Sequence, residues 1–374
     1  MAFIPARPAP HRGGRILAGV AAAGLVLAIS GGVARADRND LRLLGLCDPH
    51  TVAAPIGSEC GWVNRTGGNG PVEGVGLSGD AKLQFAEAQT RFRSLMSELG
   101  VAIAPRLQTP ADTLGYAGFQ VSAELGVTKI SADKSFWNGV AGYNPNNPTV
   151  RPDSYLTTVG GFVRKGMWLP LPAFEFGAGA LNILGSRMYV VQGYAKVALQ
   201  EGFHGWYLPS LAVRGSVSQL LGTDQVDLNV YGVDVLISKA FGIAGTARIE
   251  PFLGWNYLFI DAKSGVIDAT PNCDAIQLAN ATMMGKPTPA HCAPVPAAGN
   301  IYSDLDANFV FPQQDVITRQ RWSIGFKLKM SVLFLVGEFD LAPAGKSQDQ
   351  KQPEAARDTS GTQQSFGLSA GFDF

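Results

Sequence analysis

The side chains that could do chemistry in this chain are few and poorly grouped for catalysis. Cys47, His50 and Cys60 lie in one short stretch, and Cys273 precedes an adjacent pair, His291 and Cys292. Thiolate and imidazole bind zinc, but a structural site needs four ligands in tetrahedral reach. Neither group offers four, so no metal is expected. Beyond residue 36 the only other histidine is His204. Hydrolases and acyltransferases commonly rest on a histidine base beside Ser or Asp, and no such arrangement can be drawn here. A carboxylate pair acting without histidine is the alternative, since Glu124, Glu175, Asp234, Glu250 and Glu338 can all project to one side of their segments. Against it stands an internal ion-pair network with Lys196, Arg214, Arg319, Arg321, Lys327 and Lys329, which is the favoured reading. The expectation is therefore no enzyme and no cofactor.

Composition sets the frame for those residues. The chain has 374 residues, 30 basic against 30 acidic, with 16% charged, 46% hydrophobic and 45 glycines. Soluble domains carry about 25% charged residues, so solvent-facing charge is scarce. Disorder needs low hydrophobicity and high net charge, and nucleic-acid binding needs a basic excess. Both are excluded.

Residues 1–36 read as an export signal. Arg7, Arg12 and Arg15 precede an apolar run, Ile16 to Val33, and Ala34-Arg35-Ala36 fits a cleavage site. Cleavage after Ala36 is expected; an uncleaved anchor is the alternative, the run being barely long enough to span a bilayer. Past residue 36, glycine and charge interrupt every apolar stretch, so no transmembrane helix is predicted. In an exported chain, Cys47 with Cys60 and Cys273 with Cys292 are disulfide candidates.

From about residue 115 the period is two. Phe119, Val121, Ala123, Leu125 and Val127 fall opposite Gln120, Ser122, Glu124 and Thr128. The same alternation runs through 187–201, 248–261, 318–330 and 364–374, and less regularly through 155–168, 172–184, 207–219, 226–240 and 331–341. Strands of this length suit a tilted crossing of a bilayer, and fully charged faces do not suit a dry sandwich core. Closure leaves no unpaired edge in hydrocarbon. The fold expected is all-β: a transmembrane antiparallel β-barrel, apolar outside and polar inside, with ten strands, or twelve as the alternative count. Glu124, Lys196, Arg214, Asp234, Glu250, Arg319, Arg321, Lys327 and Glu338 are then the candidates to line the lumen. Expected periplasmic connections near 167–172, 202–206, 241–245 and 330 alternate with expected extracellular ones at 131–154, 185–187, 220–225, 262–316 and 342–362, three of which are the longest, as extracellular loops are. An even count returns the chain's start to the periplasmic end. Trp168, Trp206, Tyr207, Phe241, Phe372 and Phe374 would form one aromatic girdle, and Trp137, Tyr155, Tyr257 and Phe259 the other.

The last segment alternates Phe366, Leu368, Ala370, Phe372 and Phe374 with small or polar residues. It resembles the C-terminal assembly signal of bacterial outer-membrane β-barrel proteins. The resemblance covers the final strand and identifies a superclass, with no particular family. It implies a Gram-negative outer-membrane location, contact with lipid and lipopolysaccharide, and recognition by the barrel-assembly machinery during biogenesis.

Residues 37–113 lack the strand rhythm. Asp80 is placed to cap a helix over about 81–99, closed by Gly100. Phe85, Ala88, Phe92, Leu95, Met96 and Leu99 make its apolar stripe, opposite Lys82, Glu87, Arg91, Arg93 and Glu98. A periplasmic cap on the barrel rim is expected, with a plug in the lumen or a partner-docking helix as alternatives. Gly74, Gly76 and Gly79 match a dinucleotide-loop spacing, but no strand precedes them, so a plain loop is read.

Three functions follow. The first is passage or binding of a small, unidentified solute through a narrow, charged, porin-like lumen, with Phe309, Val310 and Phe311 as a possible apolar mouth. The second is a structural or surface-interaction barrel without transport, and the third a barrel-embedded hydrolase using a carboxylate pair.

Overall fold

The computed structural model describes residues 37–46, 79–143, 149–168, 173–202, 208–243, 246–268, 308–309, 311, 314–346 and 356–374, with backbone alone for 79–86 and 308–309. The export signal, all four cysteines, every histidine, Trp206, Tyr207, Val310 and most of the glycine-rich stretch lie outside the described residues.

Ten long strands close into one antiparallel barrel. They are β1 (Phe119–Lys129), β2 (Tyr155–Met167), β3 (Phe174–Ile183), β4 (Tyr189–Gln200), β5 (Ser210–Leu221), β6 (Val226–Ser238), β7 (Ala247–Ser264), β8 (Ile317–Met330), β9 (Leu333–Ala342) and β10 (Gln363–Asp373). Each pairs with its neighbours in sequence, and β10 closes on β1 with Phe372 opposite Val121 and Leu368 opposite Leu125. Phe119 and Phe374 exchange both backbone hydrogen bonds at 3.0 and 2.8 Å, completing the seam. Phe241–Ile243 adds a short edge to β7, and Asn308–Phe309 pairs with Ile267–Asp268 beyond its end. All strand connections are therefore local. The three long connections, before β2, β8 and β10, lie at one end of the barrel beside the short β3–β4 and β5–β6 turns; the other, short-turn end carries shorter connections alone. The tightest turn, between β8 and β9, places Ser331 at φ 56°.

Burial follows the alternation. On β1 the polar Gln120, Ser122, Glu124 and Thr128 are buried, while Phe119, Leu125 and Lys129 are exposed. Outside, Val163, Val191, Val217, Val233, Leu253, Ile324 and Phe366 present an apolar band.

Toward the long-loop end of β6 and β7 the chemistry of the two faces exchanges without any slip of register. On β6, Val226, Leu228 and Val230 are buried inside, while Asp227 and Asn229 turn outward. On β7, Leu258, Ile260 and Ala262 are inside, with Asp261 and Lys263 outside. Leu156, Leu181, Ile183, Val190 and Ile317 join them in one apolar core inside this end of the barrel.

That core is built around helix α1 (Gly79–Ile103). The helix passes Gly100, where a Cβ would stand 2.7 Å from Ile260. The glycine is there for close packing and does not end the helix. Pro105 ends it, because a proline disfavours helical geometry in the residue before it. Ala88, Phe92, Leu95, Met96 and Leu99 are buried, and so are Arg93 and Glu98 from the face expected to be solvated. A helix buried all round is a core element. The segment expected as a cap on the short-turn end instead fills the bore. Residues 37–46 sit at the long-loop rim: the Asn39 amide donates to the Gly185 carbonyl at 2.7 Å, and the Leu43 amide to Gln225 Oε1 at 2.6 Å. The chain thus enters from the long-loop end, and only then reaches β1 at the other.

Candidate functional site: the occupied bore

Below α1, residues 104–116 pass down the bore as an irregular strap, bent at Gln108 with φ 43°, and the wall supplies hydrogen-bond partners for its backbone. Buried backbone groups must be paired, and the last helical carbonyls are unpaired within the helix and carry the negative end of its dipole. Gln192 Nε2 donates to the Ile103 carbonyl at 2.7 Å. Arg321 Nη2 donates to Pro105 at 2.5 Å, and Arg214 Nη1 to Arg106 at 2.8 Å. One residue on, the strand turns its amides to the wall, and the donor–acceptor sense reverses. The Leu107 and Gln108 amides donate to the two carboxylate oxygens of Glu338, at 3.1 and 2.5 Å. Lys196 Nζ then reaches the Pro110 and Asp112 carbonyls at 3.1 and 2.9 Å. The Leu114 amide donates to Glu175 Oε2 at 3.0 Å. Below Gln192, cations meet carbonyls and carboxylates meet amides at most steps, the Ala111 amide, which donates to Ser238 Oγ, being an exception. Hydrogen bonds to charged groups contribute about 1.5–3 kcal/mol each.

The lumen-lining candidates are all buried, and the structure divides them by task. Glu124 pairs with Arg164 at 2.6 Å. Arg214 pairs with Asp234 at 2.7 Å while holding the strap, and Asn256 also donates to Asp234. Lys196 pairs with Glu175 at 3.1 Å. Glu250 lies 3.3 Å from Arg248 and accepts from Ser238 Oγ at 3.3 Å. Lys327 pairs with Asp373 at 2.6 Å and lies over the Phe334 ring. The network expected within the wall is thus only part of the arrangement. Among the described residues Arg319 and Arg321 lie within ion-pair distance of no carboxylate; Arg319 donates to Ser97 Oγ, Ser360 Oγ and the Pro343 carbonyl, tying α1 to the loop after β9.

Several functional residues were not among the lumen candidates. Arg164 and Asp340 sit at inward positions of β2 and β9, which their parity could have shown. Arg106, 3.7 Å from Asp340, and Asp112 come from the strap, where no alternation exists to place them. Glu98, on the helix, accepts from the Ser131 amide, Trp137 Nε1 and the Gly361 amide at 2.9, 2.8 and 3.0 Å. Trp137 is therefore buried against the plug, not part of an outer girdle; Tyr155 and Phe259 are exposed at that end, as are Trp168, Phe241, Phe372 and Phe374 at the other. Phe311, read as part of an apolar mouth, is buried and stacks on Phe92 with ring centroids 4.7 Å apart. The assembly-signal side chains Phe366, Ala370, Phe372 and Phe374 face outward on β10.

At the short-turn end the strap leaves a cavity of about 200 Å³, lined by strap residues 109–115 and by charged wall residues including Lys196, Arg248, Lys327 and Asp373. Among the described residues no group of His, Cys, Asp and Glu could hold a metal ion, and no helix is long and apolar enough to cross a membrane.

No family model matches the chain, and no curated protein matches it. Among solved structures it is similar to Ail, the attachment invasion locus protein of Yersinia pestis, at 8% identity over 69% of this chain and 99% of that one, with a TM-score of 0.23. It is similar to the N-terminal β-barrel domain of Pseudomonas aeruginosa OprF at 11% identity over 70% and 99%, TM-score 0.22. It is also similar to outer-membrane expressed OmpT of Vibrio cholerae at 10% identity over 68% and 77%, TM-score 0.25. The strand register itself defines the architecture: a closed ten-stranded antiparallel barrel, filled by the chain's own N-terminal segment.

Proposed function

We propose that this chain is an integral barrel of a bacterial outer membrane, closed at rest by residues 79–116. The apolar outer band on the short-turn half supports the membrane setting, since lipid-facing apolar residues alternating with a polar interior are the mark of such barrels. On this reading the short turns face the periplasm and the long loops the exterior. Lipid and lipopolysaccharide cover the outer face, and the outward Phe-rich edge of β10 is the surface for the assembly machinery. Export with cleavage after Ala36 would leave the new N-terminus at the long-loop rim, displayed outside the cell.

The observation that carries the closed state is the hydrogen-bonded strap from Ile103 to Leu114. A barrel of this size is largely filled by side chains even when nothing enters it, and here a helix and a strap enter it too. The reading favoured is therefore a surface-displayed structural barrel, with solute passage only when the strap is released. The inward carboxylates are held by cations or strap amides, which supports a structural over a hydrolytic role for them. Planar-bilayer recording of the purified full chain tests this. The expected trace is silent at all voltages, and steady stepwise conductance would contradict it. The double variant Arg214→Met with Arg321→Met, which frees the strap carbonyls, is expected to flicker open.

A further inference from the structure

We propose that the cavity at the short-turn end is a binding site for a small zwitterion, a molecule bearing one carboxylate and one ammonium group. The inference rests on the barrel reading above but not on whether the bore conducts.

The cavity has a positive end and a negative end. On the β8–β10 side, Lys327 and Lys329 share a single carboxylate, Asp373, at 2.6 and 2.9 Å. Two ammonium groups against one carboxylate leave an excess positive charge. On the β7 and strap side, Asp112 and Glu250 share a single guanidinium, Arg248, at 2.8 and 3.3 Å. Two carboxylates against one cation leave an excess negative charge. Lys196 and Glu175, deeper in, compensate each other at 3.1 Å. The lining is neutral as a whole, and the two clusters meet where Lys327 stands opposite Glu250 in the β7–β8 register, about 5 Å apart as cross-strand neighbours are, close to the distance between the two charges of a small zwitterion.

A lone anion or cation would satisfy one end and worsen the balance at the other. A molecule carrying both signs satisfies both, and buried charge is tolerated when paired. Gln120 makes the independent case for a ligand. It lines the cavity, is 1% exposed and lies beside Asp373 in the strand register. Neither its Nε2 nor its Oε1 has a hydrogen-bond partner among the described residues. A buried amide left without partners is unfavourable, and a bound carboxylate beside Lys327 would accept from it. Arg248 and Lys329, with side chains 42% and 35% exposed, stand on the rim and leave room for entry. At ~30 Å³ per water, the space suits a molecule the size of a small amino acid.

The same groups hold the strap. Lys196 and Glu175 bond to its backbone, and Asp112 belongs to it, so an occupant would touch wall and plug together.

The test is ligand-observed saturation-transfer NMR on the full chain in detergent micelles. The probes are glycine and β-alanine, with acetate, methylammonium and glycerol as single-feature controls. The zwitterions are expected to bind at least about tenfold more tightly than any control, ~1.4 kcal/mol. Gln120→Leu and Lys329→Met should each remove most of that preference, while Val233→Ala, on the outer face, should leave it intact. Heat-modified electrophoretic mobility checks that each variant is a folded barrel. Glycerol binding as well as glycine, acetate binding as well as glycine, or a preference unchanged in Gln120→Leu would each overturn the proposal. A silent conductance trace with zwitterion binding upholds both readings; a conducting barrel that binds zwitterions overturns only the closed state.

Discussion

On β6, Asp227 and Asn229 look outward over inward Val226, Leu228 and Val230; a few residues along, Val233 and Val235 look outward over inward Asp234. The two halves of this strand share one backbone alternation and carry opposite chemistry. On β6 and β7 the long-loop half turns polar residues outward and closes an apolar interior around α1, while Tyr155, Tyr189 and Leu341 stay apolar and exposed on other strands. The short-turn half is apolar outside, and its polar interior grips the strap. The plug is held by two physical mechanisms in series: packing above and charge-assisted hydrogen bonds below. On the proposed membrane setting, the exchange of polarity on β6 and β7 marks where the apolar environment ends.

The largest effect is expected in the lower half. Arg214→Ala removes the partner of buried Asp234 and the donor to the strap carbonyls. Leaving a buried charge unpaired costs about 3–5 kcal/mol, to be measured by urea unfolding in phospholipid vesicles. In the upper half Leu95→Ala leaves a cavity between helix and wall, with an expected loss of about 2–5 kcal/mol by the same measurement. The lower-half variant should also raise conductance, whereas the upper-half one should lower stability without freeing the strap. The boundary between halves is sharpened by one pair of substitutions on a single strand face. Val233→Arg, in the apolar band, should cost ~2–4 kcal/mol, and Asn229→Arg, two periods of the alternation beyond it, ~0–1 kcal/mol. Equal costs at the two positions would erase the boundary.

Much of this was readable from residue order, and the exceptions have physical causes. Strict alternation placed β1, β4, β7, β8 and β10 within a few residues of their ends, because one face meets an apolar surround and the other a polar bore. The inward parity of Glu124, Lys196, Arg214 and Glu338 followed from the same pattern. The exchange of polarity was not readable: a run such as Val226 to Val230 keeps its period while changing which face is greasy, and period alone does not say what lies on either side. The helix stripe of Phe92, Leu95 and Leu99 showed that α1 must pack on something without naming it. The polar face then misled, since Glu98 and Arg93 resemble solvated residues until Ser131, Trp137 and the Asp315 carbonyl are brought to them by the fold. The strap was invisible because an irregular segment inside a bore has no periodicity of its own to satisfy.

The strap's position in the bore is open to a direct measurement. The Ala111 amide donates to Ser238 Oγ at 3.0 Å, so Ala111→Cys and Ser238→Cys bring two thiols together only if the segment runs down the wall of β6. Non-reducing electrophoresis of the double variant in intact membranes, with each single variant as control, reads the cross-link. A band of altered mobility formed without unfolding, accompanied by a silent bilayer trace, is the expected result. Absence of that cross-link in membranes, with both thiols reacting freely with a water-soluble maleimide, would show the bore to be empty.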